Sequence, residues 1–199
     1  RQRQLRGANR EDPDHEIRLP SVGRTGNHSP PPPLCADSDF HFMKLAKLLS
    51  ANHIILDMKA VEHWASIVEL VGHLVESGQL PASQEAEMLE AFKAREESVS
   101  TGIGSGVAIP HAFSDHLDHV IAVFGRSRAG IDFEALDGKP VHFIVLFIVP
   151  RKNYHLHLQT LAAIAKMFTN SEVLRQLGAA ECHEEILAIF DSRPPRVGA

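Results

Sequence analysis

The stretch VHFIVLFIV, residues 141 to 149, contains the longest unbroken apolar run of the chain, at 143 to 149. This run is far shorter than the roughly 20 apolar residues of a membrane-spanning helix, so it predicts a buried β-strand. A second apolar stretch, VIAVFGR at 120 to 126, precedes it, and Asp137 and Gly138 supply a turn between the two. Strands that are apolar along their whole length are usually covered on both faces. The pair therefore predicts a sheet enclosed between two layers of helices.

Helical spacing of apolar residues precedes these strands. A first amphipathic helix is predicted over residues 61 to 75, with Trp64 in its apolar stripe and Gly78 as its stop. A second helix is predicted to open at Pro81 and to end near Arg95. Both helices are candidates for one of the two covering layers.

Two short strands and three further helices complete the predicted pattern. The strands are predicted at 53 to 57 and at 107 to 109. The apolar residues of the three helices are Leu158, Leu161, Ala162, Ala165 and Phe168, then Val173, Leu174 and Leu177 after a cap at Ser171, then Ile186, Leu187 and Phe190. Strands interleaved with helices indicate an α/β fold, a single three-layer domain with a central mixed sheet flanked by helices.

The ends of the chain have a different composition. Residues 1–42 carry arginines at 1, 3, 6 and 10, a PPPP run at 30 to 33 and no sustained apolar periodicity. Such a segment buries too little surface to offset its ordering entropy, which predicts a disordered N-terminal extension or an over-extended start before Met43. The domain is predicted over residues 43–191, and residues 192–199 are predicted to be a flexible C-terminal tail.

Charge and cysteine content exclude several classes of function. Twenty Lys and Arg residues against 25 Asp and Glu residues give a net charge of −5, which does not favour nucleic acid or anionic lipid as a partner. No apolar segment with a small-residue cleavage site is present, and no membrane insertion is predicted. Cys35 and Cys182 lack metal-type spacing, so the sequence favours a reducing cytoplasm. The 13 histidines form no HExxH or Cys/His pattern, so no metal site is predicted.

The stretch SVSTGIGSGVAIPHA, residues 98 to 112, combines a glycine-rich turn with one histidine. Val107 stands where a dinucleotide fingerprint needs its third glycine, so the segment does not match that motif. It does not match a P-loop either, because no Gly-Lys-Ser/Thr occurs. Pro110 has no amide donor, so we predict that a short strand ends there with His111 at its mouth. A neutral imidazole is nucleophilic near neutral pH, and glycine-turn amides are donors that can surround an anion.

Two segments, AREESVSTGIGSGVAIPHA at 94 to 112 and HLQTLAAIAKMF at 157 to 168, resemble a known family. They are similar to the IIA phosphocarrier domains of the fructose/mannitol class of the bacterial phosphoenolpyruvate-dependent sugar phosphotransferase system (PTS EIIA type-2), which includes the nitrogen-regulatory IIA protein. The likeness covers roughly residues 43 to 190. The chain departs from the family pattern at Ala112, where glycine is frequent, and at Ser105, where asparagine is frequent.

This resemblance implies a role for each site residue. It implies that His111 accepts a phosphoryl group on Nε2 from the histidine phosphocarrier protein. It also implies that Arg95 and His157 are the other catalytic residues of the same site. The residues expected to surround the phosphoryl group are Ser100, Thr101, Gly102 and Gly104. No organic cofactor and no metal ion is expected, and a IIB component or a regulatory target protein is the expected second partner. Without the motif, the alternative interpretation of Arg95 is a solvated helix end, and that of His157 is an ordinary surface residue.

The function predicted is a phosphohistidine phosphocarrier, and two roles remain open. The absence of fused IIB, IIC or carrier domains in this sequence favours a nitrogen-type regulatory protein over the IIA component of a fructose/mannitol-type transporter. An alternative from another class is a non-enzymatic module in which His111 and its glycine turn bind an anion.

Overall fold

A mixed six-stranded sheet lies at the centre of residues 45–192, the part of the chain that the structure, a computed structural model, describes. The side chains at 46, 154–157, 159, 160 and 163 are outside that description, as are the predicted extension at 1–42 and residues 193–199 of the tail. The strands are β1 (Ile54–Ile55), β2 (Gly102–Gly104), β3 (Val107–Ala108), β4 (His111–Ser114), β5 (Ile121–Ile131) and β6 (Val141–Pro150). The two long apolar segments of the sequence are therefore the two longest strands.

Strand pairing gives the sheet its mixed character. β5 and β6 are antiparallel, with Val123 opposite Leu146. β1 pairs parallel with β5, while β3 and β4 both pair parallel with the opposite edge of β6. β2 pairs antiparallel with β3 and forms the outer edge beside it. Since β2 adjoins β3 alone, β4 carries His111 beside β6 at the border of the sheet.

Helices cover both faces, as the apolar strands predicted. They are α1 (Leu45–Leu48), α2 (His63–Glu76), α3 (Glu85–Ser98), α4 (Tyr154–Phe168), α5 (Ser171–Ala179) and α6 (His183–Asp191). One core cluster joins α2 and α3 to the first face, through residues such as Leu70 and Phe92. A second cluster joins the remaining helices to the other face, through residues such as Phe168 and Phe190. The three-layer α/β prediction is confirmed.

The predicted strand end at Pro110 was wrong in part. Pairing with β6 resumes at His111 in the same register, because Val107 lies opposite Phe143 and His111 lies opposite Phe147. Pro110 has no amide to donate, but its carbonyl accepts from the Phe147 amide of β6 at 2.9 Å, and the amide of Ile109 donates to the Thr101 carbonyl at 3.0 Å. The Ile109–Pro110 pair is thus a short interruption within one alignment, and it places His111 at the start of a strand.

Two smaller predictions also need correction. Trp64 is 39% exposed, because it lies in the first turn of α2 beside an open side cleft lined by Lys93 and Glu97. The cap of α5 is Asn170, whose side chain accepts a hydrogen bond from the Glu172 amide, and Ser171 is the first helical residue. Among the described residues, no helix has both the length and the apolar character needed to cross a membrane.

Candidate active site

The glycine segment folds as a tight hairpin between β2 and β3. Gly104 lies opposite Val107, and the two residues between them, Ser105 and Gly106, have φ values of 57° and 77°. Positive φ at both central positions is characteristic of a type I′ turn, which matches the twist of a two-residue hairpin. Asparagine and glycine adopt this conformation most readily, so Ser105 occupies a position that costs it some backbone strain.

The imidazole of His111 is held in one tautomer. Its Nδ1 lies 2.9 Å from the carbonyl oxygen of Ile109, which can only accept a hydrogen bond. Nδ1 therefore carries the proton, and in the neutral ring the lone pair is on Nε2. This nitrogen is the one that the family resemblance assigns to the phosphoryl group.

Arg95 lies beside that lone pair. Its Nε donates to Nε2 of His111 at 3.2 Å, while its Nη1 donates to the Val99 carbonyl at 2.7 Å. Burial lowers the pKa of His111 most strongly. The hydrogen bond to the Ile109 carbonyl raises that pKa in part, the positive charge of Arg95 lowers it, and the charge of Glu96 opposes this weakly, so the net shift is downward. The ring is therefore neutral, and nucleophilic, at neutral pH.

A cleft of about 280 Å³ opens above these two side chains. Residues from both helical layers line it, since Arg95 comes from α3 and Leu161, Ala162 and Ala165 come from α4. The volume is well above the roughly 30 Å³ that one water molecule occupies in the liquid, so a phosphoryl group has room. His157 lies in the first turn of α4, but its side chain is outside the described part of the structure.

The residues expected to surround a phosphoryl group make hydrogen bonds within the protein. The Ser100 hydroxyl donates to the Phe133 carbonyl and accepts from the Gly102 amide, both at 3.2 Å. The Thr101 amide and hydroxyl donate to the Glu96 carboxylate at 3.0 and 2.6 Å. Gly104, with φ of 88°, is the last residue of β2 before the turn. The glycine segment thus borders the cleft, while several of its hydrogen-bond donors bind other protein groups and hold the segment in place.

Sequence reasoning missed Glu96 and His63. The Glu96 side chain is only 6% exposed, and Nε2 of His63 donates to it at 3.0 Å. Burial alone would raise the pKa of Glu96, but the hydrogen bonds from His63 and Thr101 outweigh it and lower that pKa, so the group is ionised at neutral pH. An acidic residue in the last turn of a helix opposes the helix dipole, and that was the available signal in the sequence.

Known protein families and proteins are similar in sequence to this chain. A model of the family described as "Phosphoenolpyruvate-dependent sugar phosphotransferase system, EIIA 2" matches residues 47–193. The chain is 34% identical over 149 residues to the "PTS system fructose-specific EIIABC component" of Bacillus subtilis, covering 75% of this chain but only 23% of that protein. It is 31% identical over 151 residues to the "Nitrogen regulatory protein homolog" of Haemophilus influenzae, covering 75% of this chain and 92% of that protein.

Solved structures share the fold. The nitrogen regulatory protein IIA-Ntr from Neisseria meningitidis superimposes with a TM-score of 0.68 at 32% identity, over 73% of this chain and 98% of that one. The mannitol IIA enzyme in the Escherichia coli complex with phosphorylated IIB has a TM-score of 0.61 at 21% identity, over 73% and 98% of the two chains, a likeness in fold. The chain therefore belongs to the EIIA type-2 family of the phosphoenolpyruvate-dependent sugar phosphotransferase system, as a phosphotransfer component.

Proposed function

We propose that this protein accepts a phosphoryl group on Nε2 of His111 from the histidine phosphocarrier protein, and acts as a regulatory IIA protein of the nitrogen type. The single observation that carries the proposal is the hydrogen bond between Nδ1 of His111 and the Ile109 carbonyl, 2.9 Å long. It leaves the Nε2 lone pair at the cleft as the nucleophile. The reaction draws on phosphoenolpyruvate as its ultimate donor, so we expect it in the cytoplasm.

The transfer step balances without a cofactor. Nε2 of His111 attacks the phosphorus of the donor's phosphohistidine, a new N–P bond forms as the donor N–P bond breaks, and the donor imidazole leaves with its electron pair. Nδ1 of His111 keeps its proton throughout and continues to donate it to the Ile109 carbonyl. Because phosphoryl transfer has a loose, in-line transition state, the protein contributes mainly position and charge stabilisation.

Arg95 is the residue that we expect to stabilise this charge. Its guanidinium lies at Nε2 of His111, at the position that the phosphorus must approach. Attack requires the Arg95 Nε hydrogen bond to leave the lone pair, and the same group can then donate to the equatorial phosphoryl oxygens. A guanidinium keeps its charge at all relevant pH values and offers planar paired donors to phosphate.

His157 is proposed as the second imidazole of the site. Its backbone position is one turn before Leu161 and two turns before Ala165, and both of these residues line the cleft beside His111. Residues four apart share one face of a helix, so position 157 is on the face of α4 that borders the cleft. We expect this histidine to donate a hydrogen bond to the phosphoryl oxygens during transfer.

Exposed apolar side chains around the cleft offer a docking surface for the donor. Ile103 lines the cleft and is 42% exposed. Val99, whose carbonyl accepts a hydrogen bond from Arg95, is 58% exposed, and Leu158 of α4 is 56% exposed. Apolar residues grouped at the rim of a reactive site are typical of protein interaction surfaces. We propose that the histidine phosphocarrier protein, and later a IIB component or a regulatory target, binds here.

The nitrogen-type role rests on the relatives that this chain matches along most of their length. It covers 98% of the Neisseria IIA-Ntr chain and 92% of the Haemophilus protein. A transporter role is the second candidate, because the identity to the Bacillus fructose component is 34%. Transfer from the phosphorylated protein to a fructose-type IIB component would favour the second candidate over the first.

The deciding experiment is incubation with phosphoenolpyruvate and the general phosphotransferase proteins, followed by intact mass spectrometry. We expect an acid-labile phosphoryl gain on the unaltered protein and none on His111→Ala. His111 is at the cleft and half-buried, so its replacement should leave the circular dichroism spectrum unchanged. Persistent labelling of His111→Ala at another histidine would contradict the assignment. An unaltered protein that binds phosphate but never gains mass would instead favour the anion-binding module.

A further inference from the structure

A continuous set of hydrogen bonds connects the buried Glu96 carboxylate to the imidazole of His111. Glu96 accepts from the amide and the hydroxyl of Thr101, at 3.0 and 2.6 Å. The Thr101 carbonyl accepts from the Ile109 amide at 3.0 Å, and the Ile109 carbonyl accepts from Nδ1 of His111 at 2.9 Å. Each bond fixes a group that orients the next one along the path.

The carboxylate is placed where folding alone would disfavour it. Glu96 lies in the last turn of α3, where the helix dipole opposes a negative charge, and its side chain is 6% exposed. Burying an unpaired carboxylate is costly, so its three hydrogen-bond partners are required. His63 of α2 supplies the third, at 3.0 Å, and its ring packs on Phe133 with centroids 3.9 Å apart.

The same carboxylate is adjacent in sequence to Arg95, whose guanidinium contacts His111. Glu96 therefore ties the end of α3 to the start of the glycine hairpin at the point where α3 delivers Arg95. A change at Glu96 should act on His111 without contacting it, through Thr101 and Ile109 and, where the charge is removed, through the weak effect of that charge on the His111 pKa. Its effect on the ring is specific, because the Ile109 carbonyl decides which nitrogen carries the proton.

We propose that Glu96, held by His63, is a positioning residue for phosphoryl transfer, and that it fixes the Nε2-nucleophilic tautomer of His111 through Thr101 and Ile109. This inference rests on the proposed function of His111 as the phosphoryl acceptor. Glu96 is not a catalytic residue, since no atom of it contacts His111 in this path.

The test compares matched variants in two measurements. Glu96→Gln removes the charge and replaces one acceptor oxygen with a donor, so it cannot accept both Thr101 bonds. Thr101→Val removes only the hydroxyl, whereas Thr101→Ser keeps it and serves as the conservative rescue. Glu97→Gln is the control, because it makes the same charge change at the next, exposed residue of α3.

The first measurement is single-turnover loading from the phosphorylated histidine phosphocarrier protein. We expect Glu96→Gln and Thr101→Val each to slow loading about tenfold at saturating donor, the effect of losing roughly one net hydrogen bond. The donor concentration for half-maximal loading should stay within about twofold, since Glu96 is buried away from the donor surface. Glu97→Gln should load at the unaltered rate, and Thr101→Ser should load faster than Thr101→Val because it keeps the hydroxyl.

The second measurement is the ¹⁵N NMR spectrum of the unphosphorylated ring, with His111→Ala used to assign its signals. We expect the Nδ1-protonated pattern in the unaltered protein and a shift toward a mixture of tautomers in Glu96→Gln. Unaltered loading or an unaltered tautomer pattern in that variant would overturn the proposal. If Glu96→Gln does not fold, Thr101→Val decides by the same two criteria. If the unaltered protein gains no phosphoryl group, the proposed function fails, while the tautomer measurement still tests Glu96.

Discussion

The guanidinium of Arg95 donates through Nε to Nε2 of His111 at 3.2 Å, although the two residues come from different layers of the fold. The contact brings the end of α3 to the start of β4. Nε2 can act only as a hydrogen-bond acceptor, because Nδ1 already carries the proton of the neutral ring. The cation is therefore in place before a phosphoryl group arrives.

Replacement of this cation should slow the chemistry and preserve the fold. We expect Arg95→Ala to reduce the rate of His111 loading by about one to two orders of magnitude, equivalent to about 1.5–3 kcal/mol for hydrogen bonds to a charged group. Single-turnover loading is the measurement, and Arg128→Ala is the control, because Arg128 is an exposed arginine that pairs with Asp57 instead. An Arg95→Ala rate equal to that of the control would make Arg95 a solvated helix end.

The pH dependence of loading should follow the His111 ring. Burial and the Arg95 charge hold its pKa below the ordinary value of 6.5, so the neutral ring persists below that pH. We expect the loading rate to stay level as the pH falls through 6.5 and to decline only at lower pH, as the folded ring takes up its proton. A midpoint at or above 6.5 would contradict this assignment.

The same shift has a consequence for stability, with a definite sign. The unfolded chain binds a proton at the ordinary pKa, before the folded ring does, so His111 removes stability as the pH falls from 6.5 through the folded pKa. Chemical unfolding at several pH values between about 5 and 8 should therefore show a smaller acid loss in His111→Ala than in the unaltered protein.

Gly102 should tolerate no side chain. A Cβ there would lie 2.8 Å from both Cα and Cβ of Ala135, and the Gly102 carbonyl already accepts from the Leu136 amide at 3.0 Å. We expect Gly102→Ala to cost about 1–3 kcal/mol of unfolding free energy, as overpacking does, and to slow loading by displacing the hairpin.

Gly72 provides the matched control for this change. It lies inside α2, and a Cβ there would meet nothing within 4 Å. Gly72→Ala should therefore raise the unfolding free energy by about 0.5–1 kcal/mol through helix propensity, with loading unchanged. Equal effects of the two substitutions in urea unfolding would show that the approach of Ala135 to Gly102 does not constrain the hairpin.

Local patterns were enough to predict the layers of the fold. β6 and the first half of β5 follow from apolar runs, and α2 follows from a helical apolar stripe, because each signal is contained in one segment of the chain. Trp64 shows the limit of this reasoning, since its spacing fits the stripe but the side chain borders an open cleft beside α3 and is 39% exposed. Helical periodicity identifies the apolar face of a helix, but it does not show which residues of that face a neighbouring element buries.

Polar contacts between distant segments were not predictable from the sequence. Arg126 is 1% exposed and donates to carbonyls at Leu56, Leu177 and Ala180, at separations of 51 to 70 positions. Glu96 and His63 are 33 positions apart and meet only because α2 packs beside α3. Arg95 and His111 could be predicted because a motif resemblance linked them, whereas the acidic last turn of α3 holds both Glu96 and Glu97 and does not show which of the two is buried.

His157 should affect the release of the phosphoryl group more than its acceptance. Only the nucleophile is indispensable for acceptance, and Nε2 of His111 is already oriented by Ile109 and accompanied by Arg95. A second imidazole can donate to the phosphoryl oxygens and steady their charge as the N–P bond breaks. We expect His157→Ala to become phosphorylated at His111 but to pass the group onward, or back to the carrier, markedly more slowly.

The measurement is a pair of single-turnover time courses, one for loading and one for discharge, on the unaltered protein and on His157→Ala. The control is Leu158→Ala, which removes an exposed neighbour on the same turn of α4 and should weaken donor binding without slowing discharge at saturating acceptor. Loss of loading as complete as in His111→Ala would assign the acceptor role to His157. Unaltered rates in both directions would place His157 outside the chemistry, because a hydrogen bond that forms in the transition state must appear in at least one of them.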